Sequence, residues 1–406
     1  MSTGKPLSKL HKLAYIQRLR YPDSSAAALQ SINMAAALSF KTDATFFVHD
    51  LKIPEKKIRE IYSLQAAPLH IQSLHSDRWP KLLYHKRFRY LIYNGLIAIR
   101  FCLRREWRNP PGQHNVLFVR SRRELLFWGA LRPYLWWMRQ WFLICELHDL
   151  FLDENIELEA VDTIQVKKFR RALHGFDLVL ALTDGLAKDV QDLTQNGVVP
   201  VVLPTCTGLP RTQQPPTLKM DSQERIVLGY AGTVDLLHGV NDLFDAIQYL
   251  PDRFILRVIG QVHRSAESFI QQWLTESSAA ARIELVPPVS YLEISHYLDA
   301  CDILLAPAGE TRHSQRYRSP LKIFDYMARG KPIVAADVPA HKELLQDGVN
   351  ARLYRAGDPP DLAAVILSIV ENPVQQQEIA NQAWLQSANY TYEARAEKIL
   401  NLIEQK

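Results

Sequence analysis

The chain has 406 residues, 47% hydrophobic and 22% charged, enough for two domains that each bury a core. A formal net charge of +5 suits an anionic ligand or a membrane surface but falls short of the clustered charge of a nucleic-acid binder, so no nucleic-acid partner is expected. The four cysteines lack CxxC spacing, which argues for buried thiols rather than a disulfide framework or a metal site. No apolar run approaches the roughly 18–20 residues of a membrane span, and residues 1–12 are polar and basic, so a cytoplasmic protein is predicted.

In the first half, strands are predicted over residues 13–19, 44–51, 115–120, 141–147, 177–183 and 199–203, with helical patterns between several of them. After the first strand comes Tyr21-Pro22-Asp23-Ser24-Ser25-Ala26, whose small side chains allow close approach to a ligand. Ser25 offers a hydroxyl there, while Asp23 or Ser24 reads equally well as a helix N-cap. Arg120, followed by Arg122 and Arg123, ends its strand at the rim where an acidic acceptor would sit. Residues 131–142 interleave aromatic and basic side chains, the composition either of a lipid contact or of a helix edge packed on the core. His148, in Glu146-Leu147-His148-Asp149, lies at the carboxyl end of its strand, where open parallel sheets bind ligands.

Pro204, Pro210, Pro215 and Pro216 interrupt this rhythm, and a linker is placed at residues 207–222, between a first domain of 1–206 and a second of 223–385. The second series of strands is predicted over 225–231, 254–259, 282–286, 302–306, 333–336 and 350–354, alternating with helices over 239–250, 267–274, 291–298 and 340–345. Gly232-Thr233 stands between a strand and a helix, where the backbone can approach a phosphate. Ser319 reads as an N-cap with Pro320 at the first helical position, so the N–H groups of Leu321 and Lys322 would face an anion. Asp325 lies one turn further on, Gly330 ends this helix, and residues 386–406 are expected to form a helix crossing back onto the first domain. The alternation predicts an α/β protein with two doubly wound parallel sheets, of Rossmann type, facing a central cleft.

Three segments of the second half resemble the nucleotide-sugar domain of family-four retaining glycosyltransferases (glycosyl transferases group 1), of GT-B fold. They are Leu228-Gly229-Tyr230-Ala231-Gly232-Thr233 with His238-Gly239-Val240, residues 319–334, and Asp337-Val338-Pro339 with Glu343, Asp347-Gly348 and Gly357-Asp358-Pro359. Residues 21–26, 146–149 and 180–183 are similar to the acceptor half, and Tyr390-Thr391-Tyr392 with Arg395-Ala396 resembles the closing helix. The resemblance implies that His148 contacts the donor sugar; the alternative is a histidine satisfied inside a strand-end turn. The family typically carries an Arg after the loop glycine and a Lys before the next glycine, where this chain has Thr233 and His238. Lys322, with Arg312, Arg316 and Arg318 crowding the preceding loop, places positive charge on the other wall. Of the family's two glutamates with seven residues between them, the second is Asp325, able to hold a ribose diol, and the first is Tyr317.

The leading expectation is a hexosyltransferase acting with retention, without a metal or cofactor, from a nucleoside diphosphate sugar to a glycan or lipid-linked acceptor. His148 and Lys322 are the expected catalytic residues, with Ser25, Gly232, Thr233, His238, Ser319, Leu321, Lys322 and Asp325 binding the donor and Arg120 the acceptor. The altered family positions motivate a second reading, a nucleotide-sugar-binding scaffold without catalysis. A dinucleotide-dependent oxidoreductase fits less well, because Gly229-Tyr230-Ala231-Gly232 is not the GxGxxG turn.

Overall fold

The computed structural model describes residues 10–23, 25–64, 66–73, 86–110, 112–150, 163–218 and 225–406, which leaves Ser24 and residues 219–222 of the expected linker outside the described residues. It divides into two compact units, one of Met1–Leu182, Leu186–Pro204 and Tyr392–Lys406, the other of Thr183–Gly185 and Thr205–Thr391.

The first unit carries β1 (Leu10–Tyr21), α1 (Ala26–Ser39), β2 (Ala44–Leu51), α2 (Glu55–Ile61), β3 (His70–Ser73), α3 (Lys86–Leu103), β4 (His114–Val119), α4 (Arg122–Leu131), β5 (Phe142–Leu147), α5 (Ile164–Leu173), β6 (Leu178–Ala181), most of α6 (Asp184–Leu193) and β7 (Val201–Val202). All seven strands are parallel in the order β3-β2-β1-β4-β5-β6-β7, so the strand order reverses between β1 and β4. Near-continuous apolar runs such as Val116-Leu117-Phe118-Val119 suit strands covered on both faces, and each of these four side chains is fully buried. Only β3 escapes the sequence reading. Its four residues, His-Ile-Gln-Ser, form an edge strand with none fully buried, so they carry no apolar run to detect.

In the second unit lie β8 (Ile226–Ala231), α7 (Val240–Ala246), β9 (Phe254–Ile259), α8 (Arg264–Glu276), β10 (Ile283–Val286), α9 (Ile294–Asp299), β11 (Ile303–Ala306), α10 (Leu321–Arg329), β12 (Ile333–Ala336), α11 (Pro339–Lys342), β13 (Arg352–Tyr354), α12 (Pro359–Glu371) and α13 (Pro373–Ser387). This sheet is parallel in the order β10-β9-β8-β11-β12-β13, with its reversal between β8 and β11. Cores form on both faces, one around Phe244, Phe254 and Trp273, the other around Ile323, Tyr326 and Met327 of α10. Full burial of each such side chain contributes about 1.5–3 kcal/mol, so α10 is fixed by its inner face.

The closing helix α14 (Tyr392–Glu404) packs on α1 within the first unit. The proline-rich stretch is firmly placed where it leaves that unit. Thr205, Cys206, Thr207 and Leu209 are buried, because their polar groups bond to α10 and its approach rather than to water. Residues 131–142 form two short 3-10 turns in which Met138 and Trp141 are buried while Tyr134 and Trp136 are exposed, so this stretch both packs on the core and faces outward.

Candidate functional site

The loops after the neighbouring strands β8 and β9 approach each other closely. Gly232 follows β8 with φ +143°, a conformation that favours glycine, and its N–H donates to Ile259 O at 2.9 Å. Gly260, after the neighbouring β9, has the same φ, and a Cβ there would lie 2.1 Å from Gly232 O. With Gly232 and Val234 both donating to the β9 loop, the Thr233 N–H is left without an acceptor among the described residues. Thr233 therefore offers its backbone as well as its hydroxyl, and its side chain is exposed.

Lys322 comes to the same spot from α10. Its Nζ sits 3.8 Å from the centroid of the Tyr230 ring and would be 3.4 Å from a Cβ on Gly232. Tyr230 OH donates to Thr233 O at 2.8 Å, which fixes the ring beneath the ammonium. Burial, with Arg318 adding repulsion, pushes the Lys322 ammonium well below its ordinary range. Arg318 is likewise lowered by burial, and among the described residues neither cation forms an ion pair. A partly dehydrated Arg and Lys without a carboxylate between them are an arrangement that a polyanion would relieve.

Four of the singled-out residues are set by their surroundings. Ser319 does not cap α10: Pro320 holds the N-cap position, and the buried Ser319 hydroxyl instead accepts the Thr205 N–H at 3.1 Å and meets Thr205 Oγ1 at 2.9 Å. The Leu321 and Lys322 N–H groups still open the helix and point out of its first turn. His238 is neutral at pH 7, since burial together with Arg318 and Lys322 lowers it to about 4, and its Nδ1 lies 3.1 Å from Thr233 O. Tyr317 is buried in a π-helical turn with its ring edge-on to His313, so it does not stand where an exposed carboxylate would.

Asp325 is the fourth. It is buried, and its Oδ1 accepts from Thr207 Oγ1 at 2.6 Å and Tyr291 OH at 2.7 Å, so Oδ2 is the oxygen these two donors leave over. Burial raises its pKa to about 6, against the hydrogen bonds from Thr207 and Tyr291 and the charge of Arg329. The fold thus favours the protonated acid: the stabilisation is complete below the ordinary carboxylate range and is lost as pH rises through about 6. Asp325→Asn should therefore raise stability at pH 8, on the order of 1–3 kcal/mol, and change little at pH 4. Thermal unfolding at the two pH values checks it; equal effects at both would show that the carboxylate does not titrate in this way.

In the first unit, Ser25 is the N-cap of α1, its Oγ accepting the Ala28 N–H at 3.2 Å while its own N–H donates to Asp23 Oδ1 at 2.8 Å. Arg120 is not an acceptor-binding residue at a rim. It is buried and its donors are consumed by Glu146 Oε1 at 2.9 Å, His148 Nε2 at 2.8 Å, Ala27 O at 3.1 Å and Gln30. Arg395 of α14 closes the cluster on Glu146 Oε2 at 2.8 Å. His148 follows β5 with its Nε2 held 2.7 Å from Glu146 Oε1. Burial and Arg120 lower His148 to about 4 although Glu146 opposes them, so at neutral pH it is an uncharged, oriented imidazole. Sequence reading missed Glu146 and Arg395 as a pair because nothing along the chain joins positions so far apart.

Comparisons with known proteins place these loops. Residues 225–372 match the family model of Glycosyl transferases group 1. Among curated proteins, the chain is 26% identical over 262 residues to a D-inositol 3-phosphate glycosyltransferase of Thermobifida fusca, an alignment covering 58% of each chain. It is 26% identical over 148 residues to the putative teichuronic acid biosynthesis glycosyltransferase TuaH of Bacillus subtilis, covering 36% of this chain and 35% of TuaH. The chain spans little more than half the length of the D-inositol 3-phosphate glycosyltransferase it matches. Among solved structures, Anabaena Alr3699/HepE in complex with UDP and glucose superposes with a TM-score of 0.69 at 15% identity, over 98% of this chain and 100% of that one. The lipopolysaccharide-biosynthesis glycosyltransferase WaaG gives 0.63 at 13%, over 96% and 99%. With its two parallel α/β sheets the chain has the GT-B fold, and its second unit matches the model of Glycosyl transferases group 1 across the glycine loop, Lys322 and Asp325.

Proposed function

We propose that the chain transfers a hexose, with retention and without a metal, from a nucleoside diphosphate sugar to a hydroxyl of a glycan or lipid-linked acceptor in the cytoplasm. The observation that carries this reading is the meeting of Lys322, the free Thr233 N–H and the first turn of α10 at one glycine-lined spot. As the bond from the anomeric carbon to the diphosphate oxygen breaks, charge grows on the leaving diphosphate, and fixed donors there lower the barrier. The anomeric carbon forms its new bond to the acceptor oxygen, and the acceptor proton passes to the departing diphosphate. Asp325 Oδ2 accepts from the ribose, and neutral His148 is suited to a hydrogen bond with a sugar hydroxyl. Uridine is the first base to try, since the Anabaena protein was crystallised with UDP.

The test is a thermal-shift series with UDP, GDP and ADP on the parent and on Asp325→Ala. One diphosphate should stabilise the parent, and the variant should lose about tenfold in affinity, the cost of one charge-assisted hydrogen bond. No shift with any of the three would contradict the reading. The buried Tyr317 favours a second reading, a sugar-nucleotide-binding scaffold, because it removes a carboxylate expected beside the donor sugar. Release of nucleoside diphosphate from a panel of donors and acceptors decides for the enzyme; tight binding with no release across the panel decides for the scaffold.

A further inference from the structure

Helix α3 is apolar on two sides. On its core side sit Tyr93, Asn94, Ile97 and Phe101, and the buried Asn94 amide is satisfied by donating to Tyr90 O at 2.9 Å and accepting from Trp128 Nε1 at 2.8 Å. On the opposite side the spacing of Leu96, Ile99 and Leu103 makes one continuous stripe, and these residues are 40%, 55% and 70% exposed, with Leu91 at 40% along its edge. A surface helix ordinarily turns polar residues to solvent, so an outward stripe of this kind marks a contact with something apolar.

Charge says what that something is. The stripe ends against exposed Arg104, Arg105 and Arg108, and Arg123 of α4 lies over the Tyr90 ring at 5.9 Å. α3 packs on α4, and α4 on α5, whose outer face adds exposed Lys167, Lys168 and Arg171. Arg104 Nη1 lies 3.8 Å from Glu106 Oε1, and the exposed cations Arg104, Arg105, Arg108, Lys167, Lys168 and Arg171 meet Glu106 as the one exposed acidic side chain among the described residues of α3, α4, α5 and the turn after α3, so the mild net charge of the whole chain conceals a basic helical surface. A second copy of the chain would bring like charge against like charge in a two-fold contact. An anionic bilayer supplies both the apolar depth for the stripe and the negative surface for the arginines. No helix among the described residues is long and apolar enough to cross a membrane, so the fit is to the interface, along a helix about 27 Å long.

We propose that the exposed face of α3 docks the first unit on an anionic lipid surface, with Leu96, Ile99 and Leu103 entering the acyl boundary and Arg104, Arg105 and Arg108 meeting headgroup phosphates. The test is flotation of the full chain with vesicles of pure phosphatidylcholine and of an equimolar phosphatidylcholine and phosphatidylglycerol mixture, at low and high salt. The parent should float with the anionic vesicles alone and less so in high salt. Leu96→Asp with Leu103→Asp, and separately Arg104→Glu with Arg105→Glu and Arg108→Glu, should each weaken this by about tenfold or more. Since these side chains face solvent, both variants should keep the parental melting temperature and the parental response to UDP, which separates loss of docking from misfolding and from any failure of the nucleotide site. A parent that stays unbound, that binds both vesicle types equally, or whose variants bind as well as it does would overturn the proposal. So would a parental dimer that Leu96→Asp dissolves without any lipid binding, which would assign the stripe to contact between copies.

Discussion

Glu146→Gln should lower the unfolding free energy by about 3–5 kcal/mol, the range seen when one partner of a buried ion pair is removed. The carboxylate is 2% exposed and stands between two buried guanidiniums, Arg120 on Oε1 and Arg395 on Oε2. Burial alone would push Glu146 up, but Arg395 and Arg120 hold it well below the usual carboxylate range. Its contribution is therefore present above the ordinary carboxylate pKa and is lost as pH falls through the depressed folded value. With glutamine in its place, both guanidiniums lose their counter-charge while still cut off from water. The cluster joins β5, the residue after β4, the end of α1 nearest Ala27, and α14, so the loss should loosen the closing helix along with the strand ends. Urea unfolding measures it, and Arg395→Met combined with Glu146→Gln should cost less than the two single changes added together, because they break the same contact. A cost under about 1 kcal/mol would mean that water reaches the cluster.

Lys322→Met should do the opposite to stability and more damage to function. Burial, and after it Arg318, holds the Lys322 ammonium well below its ordinary range, so the folded chain works against the charged form. Methionine keeps the stem over the Tyr230 ring and removes the charge, so the melting temperature should hold or rise. Turnover should fall by about a hundredfold to a thousandfold, the scale of losing one preorganised donor to a leaving anion. A residue that served only the fold would show the reverse, a lower melting temperature with turnover intact. His238→Lys should not rescue the variant, since Arg318 stands near that position and already disfavours a cation there.

Most of the fold was legible because parallel strands buried on both faces leave apolar runs, and the runs over residues 44–51 and 254–259 coincide with β2 and β9 to the residue. The short edge strand β3 left none. The start of α10 is legible from its Ser-Pro-Leu-Lys, but the sequence puts the cap one residue early, because Thr205 claims the Ser319 hydroxyl, which sequence distance hides. Arg120 looked like a rim residue because a strand end usually is one, and only the fold brings Glu146 and Gln30 to it. The family resemblance singles out Asp325, while the sharing of its Oδ1 between Thr207 and Tyr291 depends on the path of the proline-rich stretch. The unpaired Thr233 N–H could be found only by following the backbone bonds of its neighbours. The apolar face of α3 was invisible in composition, since leucines on a helix read as core until their exposure is known.

The most direct measurement is a crystal structure of the chain with a bound nucleoside diphosphate, UDP first. The account predicts the phosphates within hydrogen-bond reach of Lys322 Nζ and the Thr233 N–H, over the first turn of α10, with a ribose hydroxyl on Asp325 Oδ2. Phosphates bound elsewhere in the second unit, with Lys322 still lying over Tyr230 and touching no ligand, would contradict it.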